Sequence, residues 1–310
     1  MIEKTVQRTR ITLRQLEVFS AIAQAGSTRA AASWVARSQS AASTALAELE
    51  ELLGAPVFDR VGRRLVLNDQ GRLILPAVMD VLQRAGELES MLGAEPVGAL
   101  RLAASFTIGE YLLPTLISDW KQLHPQGSVQ LDIVNTRHVL EAVAGFSVDL
   151  GFIEGGDTHP DLLVEHWMDD ELIIFAAPSH PLLQQRITEA SLSEASWIMR
   201  ERGSGTRETT DRLLLPVLGR LSIAMELGSN EAVKRAVASG LGLGCLSRLA
   251  VHEAIKQGDL VELATPVPPL MRSFAMVRHK NRSLGMATDA FFKLCSNLPR
   301  SNTNTAPPQS

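Results

Sequence analysis

The apolar positions near the start of the chain follow helical spacing. Leu13, Leu16, Phe19 and Ile22 recur every three or four residues, and Gly26 is placed to stop that helix. Ser27 can cap a second helix through Ala30, Ala31 and Trp34. A short connection over 35–37 leads to Ser38, the expected cap of a third helix whose Ala42, Leu46 and Leu49 face inward. Small alanines at the crossing of the second and third helices permit close approach, which is a helix-turn-helix pattern. Residues 52–71 then hold an apolar turn, arginines around Gly62 and a strand-like stretch at 65–67. From 69 to 93 the pattern is that of one long helix. Its Ile74, Val78, Val81, Ala85, Leu88 and Leu92 are spaced as a coiled-coil seam. A single amphipathic helix packed on its own domain fits the same spacing. Pro76 is expected to bend this helix or to mark its true start.

The pattern changes near residue 97. Short apolar runs at 100–105, 129–135, 148–154, 171–177, 196–201, 222–228 and 241–247 read as buried strands. Helical stretches at 108–124, 137–145, 205–215, 230–239 and 247–257 lie between them. The alternation predicts an α/β fold with mostly parallel sheet, and about 200 residues of it favour two lobes over one. Residues 299–310 are polar and proline-bearing and are expected to form a disordered tail.

The 310 residues are 45% hydrophobic and 21% charged, which excludes a disordered or fibrous chain. The formal charge of −4 points away from nucleic acid until it is divided along the chain. Residues 1–72 hold ten basic and seven acidic side chains, so a head of +3 precedes a body of −7. Two cysteines and no secretory-type apolar segment near the start predict a reducing cytoplasm. No apolar run is long enough to span a membrane. The seven histidines are scattered, so no metal is expected, and no cofactor motif is present.

In a helix-turn-helix the start of the third helix enters the major groove. The candidate DNA contacts are Ser38, Gln39, Ser40, Ser43 and Thr44, with Arg37 just before them. Gln can read adenine bidentately, and Ser or Thr reaches bases or phosphates. A small helical domain with a solvated serine face fits that pattern equally well. Arg60, Arg63 and Arg64 around Gly62 narrow the choice, because a tight glycine turn presenting arginines is what a β-wing offers to phosphates.

The run from Ile11 to Pro76 resembles the winged helix-turn-helix head of LysR-type transcriptional regulators. The resemblance is carried by SQSAAS at 38–43, by ALAELEELLGAPVFDR at 45–60 and by GRRLVLNDQG at 62–71. Ala42 and Thr44 depart from the commonest pattern, and the second departure leaves the operator sequence open. Chain length and the alternating body extend the resemblance over nearly the whole sequence. It implies a DNA-binding domain at 1–68, a linker helix at 69–96 that pairs with a second subunit, and a regulatory domain at 97–298. It also implies double-stranded promoter DNA as partner, assembly to a dimer and on to a tetramer, and contact with RNA polymerase. The regulatory domain is expected to have the two-lobed fold of type 2 periplasmic binding proteins, with lobe I at 97–169 and 270–298 and lobe II at 170–269.

That fold places four strand-to-helix junctions on a cleft. They hold Ser105 and Thr107; Asn135 and Thr136; Gly203, Ser204, Gly205 and Thr206 ahead of Arg207; and Asn230 after Gly228 and Ser229. Each junction offers N–H groups and a hydroxyl or amide, so the set is a candidate site for a small anionic effector. Ordinary helix capping explains any one of them alone. Arg200, Arg202 and Arg207 are candidates to add positive charge. In the same resemblance Glu154 faces the cleft, to accept from a protonated or hydroxylated ligand or to pair with an arginine. The body looks closest to the branch of the family holding the CbbR and YeiE regulators, which implies a metabolite carboxylate or phosphate, or a small sulfur or nitrogen oxyanion. A transport binding protein would explain the body but not the head. An enzyme is disfavoured, because Ser204 stands in RGSGT rather than in a nucleophile elbow.

Overall fold

The computed structural model describes residues 9–35, 38–62, 64–90 and 99–298. Two compact units are present. The first holds α1 (Leu13–Ala25), α2 (Thr28–Trp34), α3 (Gln39–Leu53), β1 (Phe58–Val61), β2 (Arg64–Leu67) and α4 (Asp69–Ser90). Local capping explains why the chain breaks where it does. Thr12 and Gln15 form a reciprocal capping box at the start of α1. Gly26 ends that helix in the left-handed region at φ 67°, and its N–H bonds to the Ile22 carbonyl. Ser27 accepts from the Ala30 N–H and Ser38 from the Ala41 N–H, so both expected caps form.

Val18, Phe19, Ile22, Ala31, Ala42 and Leu49 make the centre of this unit's core. Trp34 does not join it: the indole is 60% exposed, and α2 buries Ala31 and Ala32 instead. Leu13 is likewise exposed, because it lies at the first turn of α1. β1 and β2 form an antiparallel hairpin with Arg60 opposite Leu65. The Leu65 N–H donates to the Gly26 carbonyl at 2.8 Å, which ties the wing to the end of α1.

Helix α4 runs without interruption through Pro76, so the proline marks no start. Its apolar seam divides. Leu75, Val78 and Met79 are buried in the head's core, whereas Val81 and Leu88 are exposed. Leu92 and the expected tail at 299–310 lie outside the described residues.

The second unit contains β3 (Leu100–Ala104), α5 (Phe106–Tyr111), α6 (Leu113–Leu123), β4 (Val129–Ile133), α7 (Thr136–Ala144), β5 (Leu150–Glu154) and β6 (Leu162–Ala176). It continues with α8 (Glu189–Glu194), β7 (Ser196–Arg200), α9 (Gly205–Leu218), β8 (Ser222–Leu227), α10 (Asn230–Ala238), β9 (Leu243–Ser247) and α11 (Arg248–Gln257). β10 (Val261–Glu262), β11 (Leu270–His279) and α12 (Met286–Ser296) complete it. The strands follow the order β4-β3-β5-β11-β6-β9-β7-β8, with β10 on β6.

Two expectations need correction here. The helix expected at 108–124 is two helices, because Pro114 has no N–H to bond the Glu110 carbonyl and the chain turns at Leu112. The sheet is also less parallel than the alternation implies. β3 and β7 pair in parallel with their neighbours, but the centre is antiparallel: β11 with β5 and β6, and β6 with β9. β6 is fifteen residues long and continues from one lobe into the other beside β11. Its Leu172, Ile174 and Ala176 enter one apolar cluster with Trp197 and Leu214. Ile173 and Phe175 enter another with Val233 and Leu246, as the period of two requires. The lobe at the other end is packed around Val139, Val143, Ile153 and Val277.

Gly26→Ala should destabilise the protein by about 1–2 kcal/mol, the cost of placing a Cβ in the left-handed region. Ser27→Ala should cost about 1 kcal/mol through the lost cap. Urea denaturation of the two variants checks both values.

Candidate functional site

Two regions carry candidate chemistry. On the first unit, Ser38, Gln39, Ser40, Ser43 and Thr44 are all exposed at the start and outer face of α3. Ser38 Oγ lies 3.0 Å from Ser40 Oγ while it caps the helix. Arg60 and Arg64 are exposed on the wing. Arg37 and Arg63 lie outside the described residues. A cavity of about 510 Å³ separates the start of α1 from α3, and Thr12, Arg14, Ser40, Thr44 and Glu48 line it. Arg14 was not among the expected contacts. The capping box at Thr12 is the local signal that places it there.

The second region is inside the other unit, where both lobes converge on one carboxylate. Glu154 ends β5 and is buried. Its Oε1 accepts from the Thr107 N–H at 2.9 Å, and its Oε2 accepts from the Thr206 hydroxyl at 2.7 Å. Arg272, which the sequence reading missed, donates from Nη1 to the same Oε2 at 2.6 Å and to Thr206 Oγ1 at 2.9 Å. Nη2 of Arg272 reaches Thr107 Oγ1 at 3.4 Å. Its Nε donates to Asp170 Oδ2 at 2.6 Å, and Asp170 Oδ1 accepts from the Ser247 hydroxyl. The Arg272 side chain is fully buried. Asn230 joins from α10, accepting from Arg200 Nη1 at 2.6 Å and donating to Thr107 Oγ1 at 3.5 Å.

The backbone closes the same gap. Thr136 donates its hydroxyl to the Glu154 carbonyl at 3.4 Å. Gly205 lies so close that a Cβ on it would meet the Glu154 carbonyl oxygen at 2.1 Å and Thr136 Oγ1 at 2.7 Å. Only glycine admits that approach. Thr107, Thr136, Glu154, Gly205, Thr206 and Asn230 are therefore brought together. Asn135 caps α7 through the His138 N–H, and Ser204 caps α9 through the Arg207 N–H. Gly203 lies beside Arg137, where an added Cβ would be 3.4 Å from Nε. Ser105 is buried, and its Oγ has no hydrogen-bond partner among the described residues.

Of the three arginines expected to supply positive charge, Arg200 and Arg207 are already engaged. Arg200 is held by Glu201 at 2.8 Å and by Asn230. Arg207 is held by Asp211 and Glu226, each at 2.8 Å, and by the Arg200 carbonyl. Arg202 is exposed. Burial works to raise the pKa of Glu154, but Arg272 and the hydrogen bonds from Thr206 and Thr107 outweigh it and hold the carboxyl at about 2. Burial raises Asp170 above its ordinary value, against Arg272 and Ser247. Burial also disfavours the Arg272 charge, and Glu154 and Asp170 more than restore it.

With that geometry in view, the kinships of the chain are informative. The model of the family described as bacterial regulatory helix-turn-helix protein, lysR family, matches residues 13–72. That of the LysR substrate binding domain matches residues 93–299. An Escherichia coli K12 protein described as an uncharacterized HTH-type transcriptional regulator, YeiE, is 46% identical over 292 residues, 94% of this chain and 99% of the relative. A RuBisCO operon transcriptional regulator of Allochromatium vinosum is 33% identical over 91% of this chain and 94% of its own. The Synechocystis PCC6803 CcmR regulatory domain in complex with 2-PG aligns with a TM-score of 0.59 at 28% identity, covering 64% of this chain and 96% of that one.

Arg272→Met leaves two buried carboxylates without their cation and should cost about 3–5 kcal/mol in urea denaturation near neutral pH. Because the Glu154 pKa is depressed, its contribution is complete above the ordinary value of 4.5 and is lost as pH falls toward about 2. The gap between wild type and variant should narrow across that acid range.

Proposed function

The chain belongs to the LysR family of bacterial transcriptional regulators, and from that premise we propose how its own residues read DNA and sense a ligand. Regulators of this family bind promoter DNA and small-molecule effectors. In this chain Gln39, Ser40, Ser43 and Thr44 enter the major groove of double-stranded DNA, with Ser38 and Arg37 at the edge of the contact. Arg60, Arg63 and Arg64 hold phosphates. The head comprises 1–68, the linker 69–96 and the regulatory domain 97–298, with lobe I at 97–169 and 270–298 and lobe II at 170–269. The exposed Val81 and Leu88 of α4 meet a second copy, and two such dimers form a tetramer. The protein acts in the cytoplasm, in contact with RNA polymerase. Among the described residues no helix is long and apolar enough to cross a membrane.

The effector is a small anion held between the lobes: a metabolite carboxylate or phosphate, or a small sulfur or nitrogen oxyanion. One observation carries this reading. Donors from α5, α9 and β11 converge on a single pair of carboxylate oxygens, those of Glu154. A set of donors so aimed is a seat for an oxyanion. Ser105, Thr107, Asn135, Thr136, Gly203, Ser204, Gly205, Thr206, Arg207 and Asn230 make its walls. The complex of the CcmR regulatory domain with 2-PG supports a small ligand in this kind of domain.

Electrophoretic mobility shift with the intergenic DNA upstream of the protein's own gene tests the regulator reading. A sequence-specific shift is expected, and its absence with and without candidate anions would overturn the reading. Arg64→Ala should weaken binding to all sequences alike and reduce the salt slope by about 1. Gln39→Ala should cost about 1–3 kcal/mol on the preferred operator and relax the preference at one base pair. Leu88→Glu should shift sedimentation toward the monomer, whereas an unchanged profile would remove α4 from the dimer contact.

A further inference from the structure

The seat that would hold an anion already holds one. Glu154 receives an N–H from α5, a hydroxyl from α9 and the guanidinium of β11, which are the groups the proposed effector would need. Behind it, Gly205 packs on the Glu154 main-chain carbonyl closely enough to exclude a methyl group, which fixes the backbone from which the carboxylate projects. The interior charge is also complete. Arg272 is matched by the buried carboxylates Glu154 and Asp170, and Arg200 is paired with Glu201, so neither cation is left uncommitted for a further anion.

We propose that Glu154 is the resident ligand of this seat, and that an effector oxyanion acts by exchange. It takes over the Thr107 N–H, the Thr206 hydroxyl and Arg272, while Glu154 gives them up and accepts a proton from solvent. The inference rests on the reading of the cleft as the effector site and specifies how that site is regulated. The Arg272 guanidinium already serves two buried carboxylates, Glu154 and Asp170, and a third negative charge beside it is costly, so binding and protonation are linked. No covalent bond changes; one proton moves from solvent to a Glu154 oxygen for each anion bound.

The other groups around Glu154 do not replace that proton. Asp170 on β6 stands on the far side of Arg272 and is held by Ser247. Arg200 on β7 is engaged by Glu201 and Asn230. Arg207 on α9 is turned to Asp211 and Glu226. On α10, Lys234 pairs with Glu231 and donates to the Tyr111 hydroxyl of α5. Glu110 on α5 is a carboxyl whose ionisation burial already disfavours, with Glu231 adding to the effect. α7 presents the Thr136 hydroxyl and Arg137, which stands beside Gly203. Glu208 on α9 is pushed up to about 7 by burial and by Asp157, and Glu154→Gln, which leaves it in place, separates its proton from that of Glu154.

Inorganic sulfate is the discriminating probe, because near neutral pH it is a dianion with no proton to donate. A ligand that must hydrogen-bond to an ionised Glu154 needs a donor, which sulfate lacks. Calorimetric titration of the purified full-length protein with sodium sulfate at constant ionic strength, between about pH 5.5 and about pH 7.5, tests the exchange. Affinity of the wild type should rise about tenfold for each unit that pH falls, the signature of one proton taken up. Glu154→Gln should bind sulfate about tenfold or more tightly than wild type at the upper pH, with the pH slope lost. A wild-type affinity that is flat with pH, no sulfate binding at all, or Glu154→Gln binding equal to or weaker than wild type would each overturn the exchange. If Glu154→Gln does not fold, the pH series is repeated on Glu208→Gln, and loss of the slope there overturns the exchange. The mobility shift without sulfate reads DNA binding separately, so failure of the exchange is distinguishable from failure of the regulator reading.

Discussion

The regulatory domain is organised around one cation that water does not reach. Arg272 stands directly across from Asp170 in the ladder of β11 and β6. On its other side β11 pairs with β5, where Phe274 is opposite Glu154. One guanidinium thus spans three adjacent strands at the place where the two lobes share their sheet. A buried charge of this kind is costly unless every partner is in position. The requirement runs outward: Glu154 must be aimed by Thr107 and Thr206, Asp170 by Ser247, and the two long strands must keep their register. A register shift in the β11 ladder falls just beyond this point, between Phe274 and Ala275, so the irregularity is kept clear of the charged row.

Legibility in the sequence followed the distance between partners. Caps were readable because Ser27, Ser38 and Gly26 find their partners within four residues. The polar junctions were readable for the same reason. Arg272 was not, since its two carboxylates are 102 and 118 positions away. The strand that carries it reads LMRSFAMVRH, and its charges interrupt the apolar run that would have marked it. The first half of β6 was hidden likewise by Glu165, His166, Asp169 and Asp170. Burial of a charged residue becomes intelligible only with its partner in hand. The same reasoning explains the arginines near α9. Their sign was plain from sequence, but their neutralisation by Asp211, Glu226 and Glu201 depends on tertiary placement.

Helix α4 shows a second kind of ambiguity. A seam of period 3.5 and a stripe facing the helix's own domain look alike over three heptads. The structure shows the stripe facing its own domain at the early positions. Early positions are spent on the head's core, and the later ones, Val81 and Leu88, are left outside. The helix thus leaves an apolar edge outside the core of its own domain.

The bond between the Gly26 carbonyl and the Leu65 N–H has a further meaning. One residue both ends α1 and anchors the β1–β2 hairpin, so the hairpin hangs from the turn between α1 and α2. The hairpin cannot be tilted without carrying that turn along. A change of side chain at position 26 is therefore felt twice, at the end of a helix and at the root of a hairpin far along the chain.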